Sequence, residues 1–207
     1  MTLFDRIILL ATGLVAIYLI WRFVEDYRKD KPRDDIYYII SFAVLLVAGL
    51  LLIFFGYGIL TSEWVVTVSV LIPACLSLGL VTEFTSKYEK GYLAFVVLGI
   101  LALAITRFTG PSALTTIVLI IVHGVAGLLI FFMPIYAVRQ EKAPGGFLWV
   151  TVGGALIGLG GIALAFLKTG GLLLFFSAEF VFMILAPLLL LMSLAFTWGF
   201  VRKIRAN

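Results

Sequence analysis

Residues 91–138 read GYLAFVVLGILALAITRFTGPSALTTIVLIIVHGVAGLLIFFMPIYAV. This stretch carries one charged side chain, Arg107, and a Thr109-Gly110-Pro111 corner divides it into two apolar runs. A helix needs about 20 apolar residues to cross the hydrocarbon core of a bilayer. Because backbone groups in lipid must find their hydrogen-bond partners within the segment, runs of this length are helices. The stretch therefore predicts two membrane-spanning helices joined by a tight turn.

The same pattern continues through the whole chain. Of its 207 residues 63% are hydrophobic and 13% are charged, with a mean hydropathy of +1.21, far from the composition of soluble domains. Seven apolar runs can be marked, at residues 7–24, 36–60, 64–82, 91–107, 112–138, 147–167 and 172–200. The sequence predicts an all-α integral membrane protein of the cell membrane, with residues 1–207 forming a single seven-helix domain.

Lys and Arg residues are unevenly divided between the two sides that seven alternating spans would create. Twelve of the 15 fall in the connections 22–33, 87–90 and 139–142 and in the tail 202–205; the other side has only Arg6, Arg107 and Lys168. Short loops rich in Lys and Arg remain in the cytoplasm, so we expect the N-terminus outside and the C-terminus inside. Topology and anionic lipids explain the net charge of +4, and the chain needs no nucleic acid partner.

The last six spans read as three helical hairpins that follow a first, separate helix. The returning helix of each hairpin carries one proline, at Pro73, Pro134 and Pro187. Proline lacks the backbone N–H and leaves a carbonyl one turn earlier without its donor. We expect these three positions to be hinges.

Two ionisable residues lie at membrane depth, where such groups are costly and mark functional sites by default. Glu179 is about 12 Å from the start of its span and His123 about 18 Å from the start of its own, at 1.5 Å per residue. Both spans start on the outer side, so the two side chains could meet. Glu179 is interpreted either as a protonatable site with His123 as its relay, or as a polar tie between two helices.

Residues 153–161 read GGALIGLGG. Gly154 and Gly158 form a GxxxG motif that Gly161 extends, and small residues at this spacing let helices approach closely. We expect these three glycines to lie at a helix–helix contact, within the chain or between copies.

Several classes of chemistry are disfavoured by what the sequence lacks. Cys75 is the only cysteine and His123 the only histidine, which excludes an internal disulfide, a thiolate cluster and paired histidine ligands for haem. No lysine lies inside the last span for retinal, and neither HExxH nor GxSxG occurs. The sequence predicts no cofactor and no metal, and favours a protein that is not an enzyme.

Three functions remain open. The first is an accessory or structural subunit of a larger membrane complex, with other subunits or copies of itself as partners besides the lipid bilayer. The second is a small carrier of protons, ions or an apolar solute that uses Glu179, and the third is a seven-helix sensor without retinal.

Two further features bear on these interpretations. The charges of residues 22–35 and those around Glu83 are interpreted as solvated groups that flank the spans. Asn207 and Gln140 are the only carboxamides, a scarcity also found in thermophile proteins, which is compatible with a thermophilic source.

Overall fold

The computed structural model describes residues 1–169 and 178–206, without the side chains of residues 61, 66, 112, 162–169, 178 and 179. Its helices are α1 (Leu3–Asp30), α2 (Arg33–Phe55), α3 (Glu63–Ser69), α4 (Leu71–Phe84), α5 (Glu89–Thr109), α6 (Ser112–Arg139), α7 (Trp149–Thr169) and α8 (Ala178–Ile204). Short 3₁₀ helices at Tyr57–Thr61, Ser86–Tyr88 and Gly145–Leu148 join some of them.

Six helical segments in the described part of the chain are long and apolar enough to cross a membrane. They are α1, α2, α3 with α4, α5, α6 and α8; a shorter apolar stretch, Gly145–Gly161, covers the first part of α7. The prediction of an all-α membrane protein is confirmed. The prediction of seven spans is not decided by length and composition alone.

Two helix boundaries depend on single residues. The second predicted run continues to residue 60, but α2 ends at Phe55 because Gly56 adopts a φ of 69°, which side chains disfavour. Pro73 lies in the first turn of α4, directly after the break between α3 and α4 at Val70. Proline cannot donate to the carbonyl of Ser69, so the helical ladder is interrupted there.

Beyond Gly56, the 3₁₀ turn Tyr57–Thr61 packs against the N-terminal part of α8. The ring of Tyr57 stacks on that of Phe182, with their centroids 5.0 Å apart. Burial, together with the neighbouring Asp5 carboxylate, raises the pKa of Tyr57 to about 12. The hydroxyl group is therefore uncharged at physiological pH.

Six of the segments form a closed ring, in the order α1, α2, α4, α6, α7, α8 and back to α1. Each of these helices contacts the next, while α5 packs outside the ring against α4 and α6. The helices of each predicted hairpin are in contact, but so are α1 with α2 and α6 with α7, and these contacts therefore do not test the hairpin grouping.

Aromatic side chains fill the ring near the ends of α4 and α8. The Tyr38 ring lies 4.9 Å from Phe23 and 4.7 Å from Phe200 between centroids, distances typical of favourable aromatic pairs. The same buried cluster includes Phe42, Phe84, Phe147 and Phe196. Polar groups lie directly beside this aromatic layer, since the Tyr38 hydroxyl bonds Glu83 and the Lys203 ammonium lies 5.8 Å from the centre of the Tyr38 ring.

Candidate functional site

Charged side chains enter the interior at one end of the molecule, which we call the charged end. There the first turn of α2 meets the last turns of α4 and α8. The charged-end cluster consists of Asp34, Asp35 and Tyr38 from α2, Glu83 from α4 and Lys203 from α8.

An ion pair joins α4 and α8. The Lys203 ammonium contacts Glu83 Oε1, and the Tyr38 hydroxyl donates to Glu83 Oε2 over 2.8 Å. Lys203 is 4% exposed and Tyr38 is fully buried. Both oxygens of the Glu83 carboxylate are therefore satisfied, as a buried charge requires.

Asp35 is in a different situation. It is 1% exposed, and neither carboxyl oxygen has a hydrogen-bond partner in the described part of the chain. The charged groups that act on it are Asp34 on its own helix, Asp26 on α1, Glu83 on α4 and Lys203 on α8. Three of these four are negative and one is positive.

Local sequence explains why the cluster forms. Asp34 and Asp35 occupy the first turn of α2 and Lys203 the last turn of α8, where the helix dipole favours their respective charges. Gly79 faces the Tyr38 ring, and a Cβ atom at this position would overlap the ring. The missing side chain thus lets Tyr38 lie against α4 and reach Glu83 one turn further on.

Neighbouring contacts hold the rim of the cluster. The Lys142 ammonium donates to the backbone oxygen of Phe84 over 3.1 Å, which caps the end of α4. On α2, Arg33 is 4.0 Å from Glu89 at the start of α5. Ends of α2, α4, α5, α6 and α8 therefore lie at this site.

The chemistry open to the cluster follows from its charge. Asp34, Asp35 and Glu83 place three carboxyl groups beside one lysine, so full ionisation would leave an excess of negative charge in a buried site. Within the described residues, no group of three or more His, Cys, Asp or Glu side chains is arranged to hold a metal ion. Proton uptake by a carboxylate is the simplest way to compensate the excess.

The two ionisable residues singled out from the sequence lie elsewhere. His123, on α6, is half-buried against α7; a Cβ at Gly161 would be 3.3 Å from its Nε2, and its buried Nδ1 has no partner among the described groups. The backbone of Glu179 is in the first turn of α8, at the opposite end from Lys203. Its side chain lies outside the described residues, so its contact with His123 stays a prediction.

The glycines of α7 face two neighbours. A Cβ at Gly154 would contact Ile130 of α6 at 2.8 Å, and Gly161 faces His123 of the same helix, whereas Gly153 faces Phe196 of α8. At Gly158 a Cβ would meet no described atom within 4 Å. The structure thus places Gly154 and Gly161 at the contact with α6 and Gly158 away from every described neighbour.

Pro134 and Pro187 lie inside α6 and α8. Pro134 leaves the carbonyl of Ile130 without its helical donor, and a Cβ at Gly154 would be 3.3 Å from that oxygen. One residue later, the Phe131 carbonyl accepts a hydrogen bond from the Thr151 hydroxyl over 2.9 Å. Helix α7 therefore covers the interrupted part of α6.

The charged-end cluster was missed from the sequence, although a signal is present. Asp35, Tyr38 and Phe42 follow one another at helical spacing on one face of α2, and Lys203 similarly continues a face that carries Phe196 and Phe200. A charge that prolongs an aromatic core stripe points inward rather than to solvent.

Comparison with known proteins adds no relative: no family model matches the chain, and neither a curated protein nor a solved structure is significantly similar to it.

Proposed function

We propose that the chain crosses the membrane seven times with its charged end in the cytoplasm, and that it is a small carrier driven by proton uptake and release at Asp35. The Asp35 carboxyl group carries this proposal, because it is 1% exposed and no described group bonds either oxygen. An ionised carboxylate there has lost its hydration and gains no hydrogen bond from the described residues in return. It is stable only with a bound proton or cation.

The positions of the helix ends support seven crossings. Lys142, just after α6, bonds the end of α4, and Lys203, at the end of α8, pairs with Glu83 on that same last turn. Because α6 and α8 both end here, the intervening chain leaves this end in α7 and returns in α8. Twelve of the 15 Lys and Arg residues belong to the connections at this end, which favours the cytoplasmic side.

Competition for Lys203 would couple protonation to helix arrangement. Lys203 acts electrostatically on Asp34 and Asp35 as well as pairing with Glu83. When Asp35 loses its proton, its charge competes with Glu83 for the ammonium group. Asp35 is on α2 and Glu83 is on α4, so this competition changes the helix with which α8 forms its ion pair. Alternating access requires such a change, because one group of helices must move relative to another.

His123 and Glu179 would serve the rest of the pathway. From Lys203 to Glu179 along α8 is about 36 Å, and from the end of α6 to His123 is about 24 Å. Lys203 and Glu179 thus lie near opposite ends of the membrane-spanning part, and His123 lies at a depth between them. Pro134 and Pro187 lie between them on the two helices and provide the bending points.

Proton flux into vesicles tests this function. The purified chain is reconstituted with a pH-sensitive dye inside, and a potassium diffusion potential drives protons inward. We expect wild-type vesicles to acidify faster than protein-free vesicles, and Asp35→Asn to fall to the protein-free rate. Asp30→Asn, which removes an exposed carboxylate at the same end, is the matched control and should keep the wild-type rate. Flux that survives in Asp35→Asn would contradict the proposal.

The accessory-subunit function is a second candidate, favoured by α5. Only 11% of the residues in its most apolar 18-residue stretch are buried inside the protein, whereas 65% are buried in the corresponding stretch of α3 with α4. Its outward face, with Leu98, Leu101 and Ile105 exposed, is covered either by lipid or by another subunit. Purification from the native membrane in mild detergent distinguishes them, because a monodisperse chain without partner proteins contradicts the subunit function.

A further inference from the structure

A basic depression lies at the charged end, on the face of α8 that points away from the charged-end cluster. It has a volume of about 480 Å³ and is lined by Trp198, Arg202, Arg205, Ala206, Pro144 and Gly146. Trp198, Arg202 and Arg205 are spaced by four and three residues, so they share one face of α8. Lys203 lies on another face and points into the charged-end cluster.

The two arginines have no ion-pair partner in the part of the chain that the structure describes. Arg22 pairs with Glu25 at 3.0 Å, whereas no carboxylate lies within ion-pairing distance of Arg202 or Arg205 among the described residues, which stop at Ala206. The Arg202 guanidinium instead lies 4.7 Å from the centre of the Trp198 ring. Two positive charges therefore face the depression without an anionic partner among the described side chains of residues 1–169 and 178–206.

The opposite wall is shaped to receive Arg202. A Cβ at Gly146 would be 3.0 Å from Arg202 Cγ and 3.1 Å from its Cβ. Glycine at this position thus lets the arginine stem lie flat on the loop before α7, with the guanidinium directed along Trp198. The arginine stem therefore packs on this loop, while the side chain as a whole remains exposed.

We propose that this depression binds the phosphate group of an anionic phospholipid. Guanidinium groups bind phosphate oxygens through paired N–H donors. Tryptophan marks the interface of a membrane protein, so the site opens at the depth of the lipid headgroups. The exposed Trp198 ring and Pro144 provide an apolar surface for the glycerol and the start of the acyl chains. This lipid site is independent of the proton site at Asp35.

Native mass spectrometry in non-ionic detergent tests the proposal. The wild-type chain is titrated with phosphatidylglycerol or with phosphatidylcholine of the same acyl chains, and the dissociation constant of the first bound lipid is measured. We expect tighter binding of phosphatidylglycerol, and a loss of about fivefold in its affinity for each of Arg202→Gln and Arg205→Gln. Affinity for phosphatidylcholine should not change.

Arg139→Gln is the matched control, because Arg139 is exposed in the last turn of α6 and does not line the depression. It should keep the wild-type selectivity. Arg205 follows the last residue of α8, so Arg205→Gln reports on binding even if Arg202→Gln unfolds the chain. Equal affinity of the wild type for both lipids, or an equal loss in Arg139→Gln, would overturn the proposal. Inorganic phosphate that displaces phosphatidylglycerol at comparable concentration would also overturn it in favour of a free-phosphate site.

Discussion

At the scale of single residues, Lys203 decides whether the charged end is stable. Burying a charge is costly unless it is paired and hydrogen-bonded, and removing one partner leaves the other uncompensated. Lys203 compensates Glu83 directly and acts on two further buried carboxyl groups, Asp34 and Asp35. Its loss therefore has a larger effect than the loss of one surface ion pair.

We expect Lys203→Met to destabilise the protein by about 3–5 kcal/mol, as for other broken buried pairs. Adding Glu83→Gln in the same chain should recover a large part of this loss, because the unpaired carboxylate is removed as well. Unfolding free energies of the two single variants and the double variant in detergent measure the coupling. The control is Lys29→Met, which removes the exposed partner of the ion pair with Asp26, where we expect less than about 1 kcal/mol. Strictly additive losses for Lys203→Met and Glu83→Gln would contradict the ion pair.

Tyr38→Phe tests the hydrogen bond to the second oxygen of Glu83. The substitution keeps the ring against Gly79 and removes only the hydroxyl donor. We expect a loss of about 1–3 kcal/mol, since the buried acceptor is left unsatisfied. Thermal unfolding in detergent measures this loss. The same substitution at Tyr88, which is 58% exposed, should leave the unfolding temperature unchanged. Equal effects at the two tyrosines would remove the evidence that Glu83 depends on Tyr38.

The sequence identified these charges but not their environment. Asp34, Asp35, Glu83 and Lys203 lie where an apolar run begins or ends, and at such positions composition predicts a solvated flank. Whether a terminal charge points inward depends on the angular position of its helix in the bundle. That angle is set by contacts between segments that are distant in the sequence, such as Tyr38 against Gly79.

At the scale of the helix, α7 shows how glycine spacing serves two neighbours at once. Gly153 faces α8, while Gly154 and Gly161 face α6. A GxxxG motif predicts close approach, but it does not say which member makes the contact. Gly158 belongs to the motif, yet a side chain there would point into space without described atoms.

Leucine substitutions on α7 test this assignment. Gly154→Leu should overlap Ile130 and cost about 1–3 kcal/mol, the usual penalty for an overpacked site. Gly158→Leu adds the same side chain on the same helix at a position where no described atom lies within 4 Å of the new Cβ, and it should be tolerated. The melting temperatures of both variants in detergent give the comparison. If Gly158→Leu is the more destabilising variant, that face of α7 contacts another copy or another subunit.

At the scale of the whole molecule, hydropathy predicts the helices, while the ring order requires the structure. Long apolar runs leave the backbone no alternative to helix in lipid, so α1, α5 and α6 cover the runs that the sequence marks, whereas α2 ends five residues earlier than its run. Nothing in a hydropathy pattern separates α5, which packs outside the ring, from the ring helices α4 and α6. All of these spans are similarly apolar, and their neighbours are selected by side-chain shape.

Cysteine labelling tests the crossings and the orientation together. Cys75 is the only native cysteine and is buried, so an introduced cysteine can be labelled by a membrane-impermeant maleimide with little background. Thr109, Gln140 and Ala206 are exposed positions in the α5–α6 turn, after α6 and after α8. In intact cells we expect labelling of Thr109→Cys alone, and labelling of Gln140→Cys and Ala206→Cys only after permeabilisation. If α7 does not cross, Gln140 and Ala206 lie on opposite sides and only one of the two is labelled in intact cells. Labelling of both, without Thr109, would reverse the orientation and place the Asp35 site outside.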